Sequence, residues 1–187
     1  SRQWIFVDAQ TGAIVHTKNR IHNIDTPATG TTMYSGTVNF TCDSNAGSYR
    51  LRESGRGQGI HTFDCLNSTN QANAVDFTNA TTNWTSTAGG DDAARDAHWG
   101  AEGTYDYYLN VWGRDGLDDN GMLMLSYVHY DSGLDNAYWD GTSMSYGDGS
   151  QQPGGFNPLV ALDVCGHEFT HGVTENSSNL DYSYESG

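Results

Sequence analysis

Two histidines four residues apart enclose a glutamate in the stretch His167-Glu168-Phe169-Thr170-His171. Residues four apart share a helix face, so both imidazoles can converge on one metal ion. Glu168, one step from the first histidine, can point toward a water activated at that ion and accept its proton. The chemistry that follows is metal-assisted hydrolysis, with zinc as the ion that two imidazoles suit. The same five residues taken alone also occur as two solvated histidines on a polar helix.

The flanks favour the metal reading. Pro158 to Val164 is mostly apolar, and Val160, Leu162, Val164, Phe169 and Val173 fit the buried stripe of a helix that would hold the ligands rigidly. Gly166-His167-Glu168-Phe169-Thr170-His171-Gly172-Val173-Thr174, followed by Leu180, Tyr182 and Glu185-Ser186-Gly187, resembles the active-site segment of the thermolysin-like metalloendopeptidases. Upstream, Tyr49-Arg50-Leu51-Arg52, Arg56-Gly57-Gln58-Gly59-Ile60, Asp96-Ala97-His98, Thr104-Tyr105-Asp106-Tyr107-Tyr108, Asn136-Ala137-Tyr138-Trp139 and Tyr146-Gly147-Asp148-Gly149 follow in that family's order. The resemblance runs from about Thr31 to the last residue.

What the resemblance implies is a secreted, zinc-dependent endopeptidase that cleaves proteins and peptides before bulky apolar residues. His167 and His171 are then zinc ligands, Glu168 the general base and Tyr182 a hydroxyl donor to the oxyanion. Asn136 and Ala137 lie on an edge strand that pairs with an extended substrate, which fixes its main chain without demanding particular side chains. Trp139 belongs to the same segment, and Phe156, Leu159 and Val164 match an apolar pocket on the leaving-group side. Asp163, on the first turn of the zinc helix, matches a calcium ligand, although a carboxylate there is also favoured by the helix dipole. A second family calcium site has Ala80-Thr81-Thr82 in place of its acids and is expected to be lacking.

A catalytic zinc normally has three protein ligands and a water. In the family the third is a glutamate just beyond the Glu-Ser-Gly at which this sequence stops, on a C-terminal helical domain that also supplies a transition-state histidine. The chain therefore reads as an N-terminal half of a catalytic unit without its C-terminal domain, inactive by itself. Glu175, at i+4 from His171, and Glu185 are the alternatives within the chain, and both read better as helix-end or loop carboxylates.

Composition fits an exported hydrolase. Eight basic and twenty-three acidic residues give a formal charge of -15, which disfavours nucleic acid as a partner and suits calcium. No apolar run approaches the roughly 20 residues needed to span a membrane, and an apolar core adequate for a signal peptide is not expected either. Of three cysteines, Cys165 reads as a small core residue, whereas the family's fold would place Cys42 and Cys65 in one sheet and allow a disulfide. Five Asn-x-Ser/Thr sequons begin at Asn39, Asn67, Asn79, Asn83 and Asn176. They keep open a secreted binding or adhesion module beside the peptidase and its inactive fragment.

These residues need elements to position them. Trp4 to Val15 alternates around an Asp-to-Gly turn and reads as a hairpin that resembles the end of the family's propeptide. Residues 1–26 are then a pro-segment of a zymogen, Asn23 to Gly30 its processing linker, and 27–187 the peptidase domain. Between them the chain reads as α+β: short strands and glycine turns, with a long helix from Asp91 to Trp112 packed on the sheet and the metal helix at the end. Asp91 is its candidate N-cap and Gly113 its stop; Ala93, Ala97, Ala101, Tyr105, Tyr108 and Leu109 have helical spacing, and His98 among them reads as structural. Met122 to Tyr130 reads as a buried strand by its apolar length.

Overall fold

The computed structural model describes residues 3–19, 24–85, 91–178 and 180. It is mostly sheet with two long helices. An N-terminal hairpin pairs β1 (Gln3–Val7) with β2 (Ile14–Asn19) antiparallel. The Asp8 side chain closes its turn by accepting from the Gln10 and Thr11 amides. Two larger sheets follow, built from β3 (Ile24–Thr31), β4 (Thr37–Asn45), β5 (Ser48–Arg50), β6 (Arg52–Glu53), β7 (Ile60–Ser68), β8 (Val75–Asp76), β9 (Thr78–Asn79), β10 (Asn83–Trp84), β11 (Met124–Tyr130), β12 (Ala137–Trp139) and β13 (Met144–Tyr146). One has the order β10-β3-β4-β5-β9, the other β12-β13-β11-β7-β6 with β8 also on β7.

Period-two patterning sets the inner faces. Val38, Phe40 and Cys42 point inward from β4, and Met124, Ser126 and Val128 from β11. β11 is thus buried on one face rather than along its whole length. Its other face carries Leu125 and Tyr127, the latter stacked on Phe63 at 5.5 Å between centroids. β11 runs parallel to both β7 and β13, and β12 closes that end as an antiparallel edge.

The helix expected from Asp91 to Trp112 is α1 (Asp92–Trp112). Asp91 caps it by accepting from Ala94 N, and Gly113, at a φ of 67°, ends it in the left-handed conformation that glycine adopts without cost. Ala93, Ala97, Ala101 and Tyr105 are buried as their spacing requires, whereas Leu109 and the final turn face outward. Alanines along this face let α1 sit close to strands of both sheets and to the second helix, α2 (Leu162–Ser177). His98 is fully buried in that contact and is structural. Thr41 O can only accept, so Nε2–H donates to it at 2.9 Å and Nδ1 accepts from Thr62 Oγ1 at 2.9 Å. Burial lowers its pKa to about 4, so the ring is neutral.

Two expectations change. Residues 24–30 are not a loose linker: from Ile24 they form β3, paired with β4 from Ile24–Ser44 through Thr31–Thr37. β3 lies between β4 and the short β10, and Pro27 does not interrupt the pairing with β4. Cys42 and Cys65 are both buried free thiols, as is Cys165. Cys42 lies on β4 of one sheet, with its thiol on Thr26 O, while Cys65 lies on β7 of the other. The two cysteines therefore lie in different sheets and not in the single sheet expected, and they are not bonded.

Denaturing the protein without reductant should therefore release three titratable thiols, and a count of one would restore the Cys42–Cys65 bond. A second test concerns the helix contact, because a Cβ on Gly100 would lie 2.9 Å from both Cβ and Sγ of Cys165. Gly100→Ala should lower stability by about 1 kcal/mol in urea unfolding despite the gain in helix propensity, since overpacking costs about 1–3 kcal/mol.

Candidate metal centre

α2 presents its apolar side through Cys165, Phe169 and Gly172, which are buried. Of the stripe read in sequence, Val160 before the helix and Phe169 within it are fully buried, Val164 and Val173 pack only partly against the core, and Leu162 is exposed. The register of the buried stripe turns His167 and Glu168 into a cleft, with His171 one turn further along the helix beside His167. Gly172 permits the approach: a Cβ there would sit 3.1 Å from Leu117 Cδ1 and from Trp139 Cε2. Thr170 ties α2 to α1 through its hydroxyl, 2.9 Å from Tyr108 Oη.

The two Nε2 atoms of His167 and His171 are 3.2 Å apart, and Glu168 Oε2 lies 3.8 Å from His171 Nε2. Two nitrogens bound at ~2.05 Å to a tetrahedral zinc lie about 3.3 Å apart, so the pair already has the bite that zinc needs. Potential ligand atoms of all three residues fall within 4.8 Å of one another. Glu168 has a 14% exposed side chain against 33% for His171, so the carboxylate sits in the more sheltered position. Zinc fits this donor set as two imidazoles with a carboxylate at hand.

The cleft has a volume of about 400 Å³ and is lined by Asn136, Ala137, Leu159, Asp163, Val164, His167 and Glu168. Four of the expected substrate residues, Asn136, Ala137, Leu159 and Val164, thus meet the metal motif although more than 20 residues of chain separate the two segments. Ala137 begins the edge strand β12, as expected. Phe156 is not a lining residue; it is 58% exposed, with its amide donating to Asp135 Oδ1. Trp139 also turns away from the cleft. Its indole leans on Phe169 at 6.4 Å, and Nε1 donates to Glu175 Oε2 at 2.8 Å.

That bond settles the geometry of Glu175, whose carboxylate serves Trp139 and is not part of the His167, Glu168 and His171 group. Sequence reasoning missed this strut because its partners are 36 residues apart and carry no local signature. Asp163 lies in the first turn of α2 and lines the same cleft, with no second acid beside it in a metal-binding group among the described residues. Tyr182 and Glu185 lie outside the described residues.

Comparison with known proteins agrees with this geometry. The profile of the thermolysin metallopeptidase catalytic domain matches residues 27–175. Bacillolysin of Brevibacillus brevis is 38% identical over 187 residues, which is 99% of this chain and 34% of that protein. The transglutaminase-activating metalloprotease of Streptomyces mobaraensis is 36% identical, covering 100% of this chain and 24% of that protein. Among solved structures, the precursor of protealysin, a metalloproteinase from Serratia proteamaculans, superposes with a TM-score of 0.58 at 32% identity, over 68% of this chain and 38% of that one. The chain spans about a third of the length of the bacillolysins it matches. With the paired imidazoles, the flanking carboxylate and a profile match over most of its residues, this chain belongs to the thermolysin metallopeptidase family.

Proposed function

We propose that this chain is part of the catalytic unit of an extracellular zinc endopeptidase that cuts before bulky apolar residues. The carrying observation is the 3.2 Å approach of the two Nε2 atoms at the wall of a cleft shared with an edge strand. His167 and His171 would hold the ion, with further ligands from outside the described residues. Zinc, when bound, acidifies water to near neutrality and polarises the carbonyl under attack. Glu168 takes the proton from that water and passes it to the leaving amine. Its sheltered setting on the cleft wall suits that role, and Tyr182 is the proposed donor to the oxyanion.

A substrate peptide would extend the sheet beyond β12, with Asn136 and the Ala137 backbone as hydrogen-bonding groups and Leu159 and Val164 as apolar contacts. Trp139 contributes by tying β12 to α2, so its role is to place the peptide rather than to touch it. Phe156, exposed and outside the lining, is not needed for this reading. For calcium, Asp163 offers one carboxylate where six to eight oxygens are required, so such a site would draw its other ligands from elsewhere.

Residues 1–26 are proposed as the end of a pro-segment. The hairpin leaves Ile5, Phe6, Val7, Ile14 and Val15 about half exposed, as a piece of a larger unit would, and the catalytic-domain match starts at residue 27. A cut there would leave Pro27 to Thr31 held on β4. No helix among the described residues is long and apolar enough to cross a membrane.

Replacing the base tests the reaction. Glu168→Gln should lower cleavage of casein by the peptidase containing this chain by ~10²–10⁴-fold while zinc stays bound, and unchanged cleavage would refute the assignment. His167→Ala or His171→Ala should weaken zinc by more than the ~10–100-fold that loss of outer-shell support costs, read by competition with a chromophoric chelator. Unchanged affinity in either variant would remove that histidine from the centre.

A further inference from the structure

His129 lies on β11 with a φ of 53°, a left-handed backbone that L side chains rarely adopt, where β11 slips register against β7 between Val128 and Tyr130. Both ring nitrogens face carboxylates. Nδ1 is 2.7 and 2.8 Å from the two oxygens of Asp148, and Nε2 is 2.9 Å from Asp91 Oδ2. A neutral imidazole has one N–H and could serve only one of these acids, so the doubly bonded ring is an imidazolium.

Asp91 arrives from the start of α1, where its other oxygen caps Ala94 N, and Asp148 from the segment after β13. These are the charged groups that face the ring, and Phe77 covers it edge-on at 6.1 Å. Burial alone would lower the pKa of His129, but the bonds from Asp148 and Asp91 outweigh it and raise the value from 6.5 to about 10. A raised value means that the pair contributes fully below pH 6.5 and is lost as pH climbs through about 10.

Asp148 stands in backbone without slack. Gly147 N donates to Asn136 O, Leu159 N donates to Gly147 O, and Gly149 N donates to Leu134 O, each at 3.0 Å. A side-chain carbon on Gly147 would collide with the Leu134 carbonyl oxygen, and one on Gly149 with that of Phe156. Gly147 therefore joins two walls of the metal cleft, the one at Asn136 and the one at Leu159.

We propose that His129 is a positioning residue for the cleft: clamped between Asp91 and Asp148, it holds the Gly147 backbone that joins the Asn136 and Leu159 walls and anchors them to the start of α1. The part of this that concerns peptides rests on the peptidase reading above; the clamp itself does not. His129 is not itself a lining residue of the cleft.

The ring can be followed directly by imidazole ¹⁵N resonances of the chain. His129 should stay protonated through neutral pH and titrate near 10; a transition near 6.5 would overturn the clamp. In His129→Gln, amide hydrogen exchange at Gly147 and Leu159 should speed up by about tenfold or more, with zinc affinity unchanged, and His129→Lys should recover part of the protection. Unaltered exchange at both amides would overturn the proposal. Should His129→Gln fail to fold, Asp148→Asn, which loosens one arm only, is read the same way. In a peptidase assay the change should appear as a raised KM with kcat little altered. A fall in kcat at constant KM would sink the positioning role while leaving the Glu168→Gln result, and so the peptidase reading, standing.

Discussion

The close seat of α1 is the constraint on which the rest of the structure depends. Ala93, Ala97 and Ala101 give that helix a side with almost no width, and all three are buried against the sheets. Gly100 extends the same economy toward α2, where Cys165 occupies the space that a side chain at position 100 would fill. α2 can therefore approach α1 with its buried stripe of Cys165, Phe169 and Gly172 inward, and its histidines are turned outward as a consequence. Dense packing makes this orientation a discrete state, because neighbouring side chains leave no room for an intermediate rotation.

Charge is handled differently inside and outside. With eight basic residues against twenty-three acidic ones, each buried carboxylate competes for few cations. Arg56 alone serves Glu53, Glu102 and Asp106, and its contact to Asp106 is a two-pronged one at 2.8 Å for each bond. Burial raises Glu102 to about 7 even with that guanidinium nearby. Arg50 likewise bonds Asp43 through two nitrogens. Such paired groups specify one arrangement of strands more than they add stability, since desolvation offsets much of the attraction.

The cleft draws on both devices. One wall comes from a helix positioned by apolar packing, the other from an edge strand held by Trp139 and Glu175 and by the glycine-rich return at Gly147 to Gly149. Metal chemistry tolerates little drift in the distance between these walls, because a ligand or base that moves by an ångström loses its alignment. The histidines sit on the helix and Asn136 and Ala137 at the sheet edge, and the Trp139–Glu175 bond couples the two walls.

Much of the site was legible in the linear chain. Four-residue spacing alone put His167 and His171 on one helix face, and cap chemistry at Asp91 and Gly113 marked the ends of α1 to within a residue, because both features depend on local geometry. The same locality explains the errors. Small residues and a proline before Thr31 look like a linker, yet pairing with β4 makes them a strand. Cys42 and Cys65 both sit in strand-like runs, and only the assembly of two sheets separates them. Trp139 and Phe156 have the size of pocket residues, but long-range partners decide where such side chains point: Glu175 holds one away from the cleft, and Asp135 fixes the backbone of the other. The sequence by itself determined which atoms could bind a metal and which helix would carry them, since those rest on periodicity within one turn. Tertiary structure decided which wall faces them, since that rests on contacts between residues far apart in the chain.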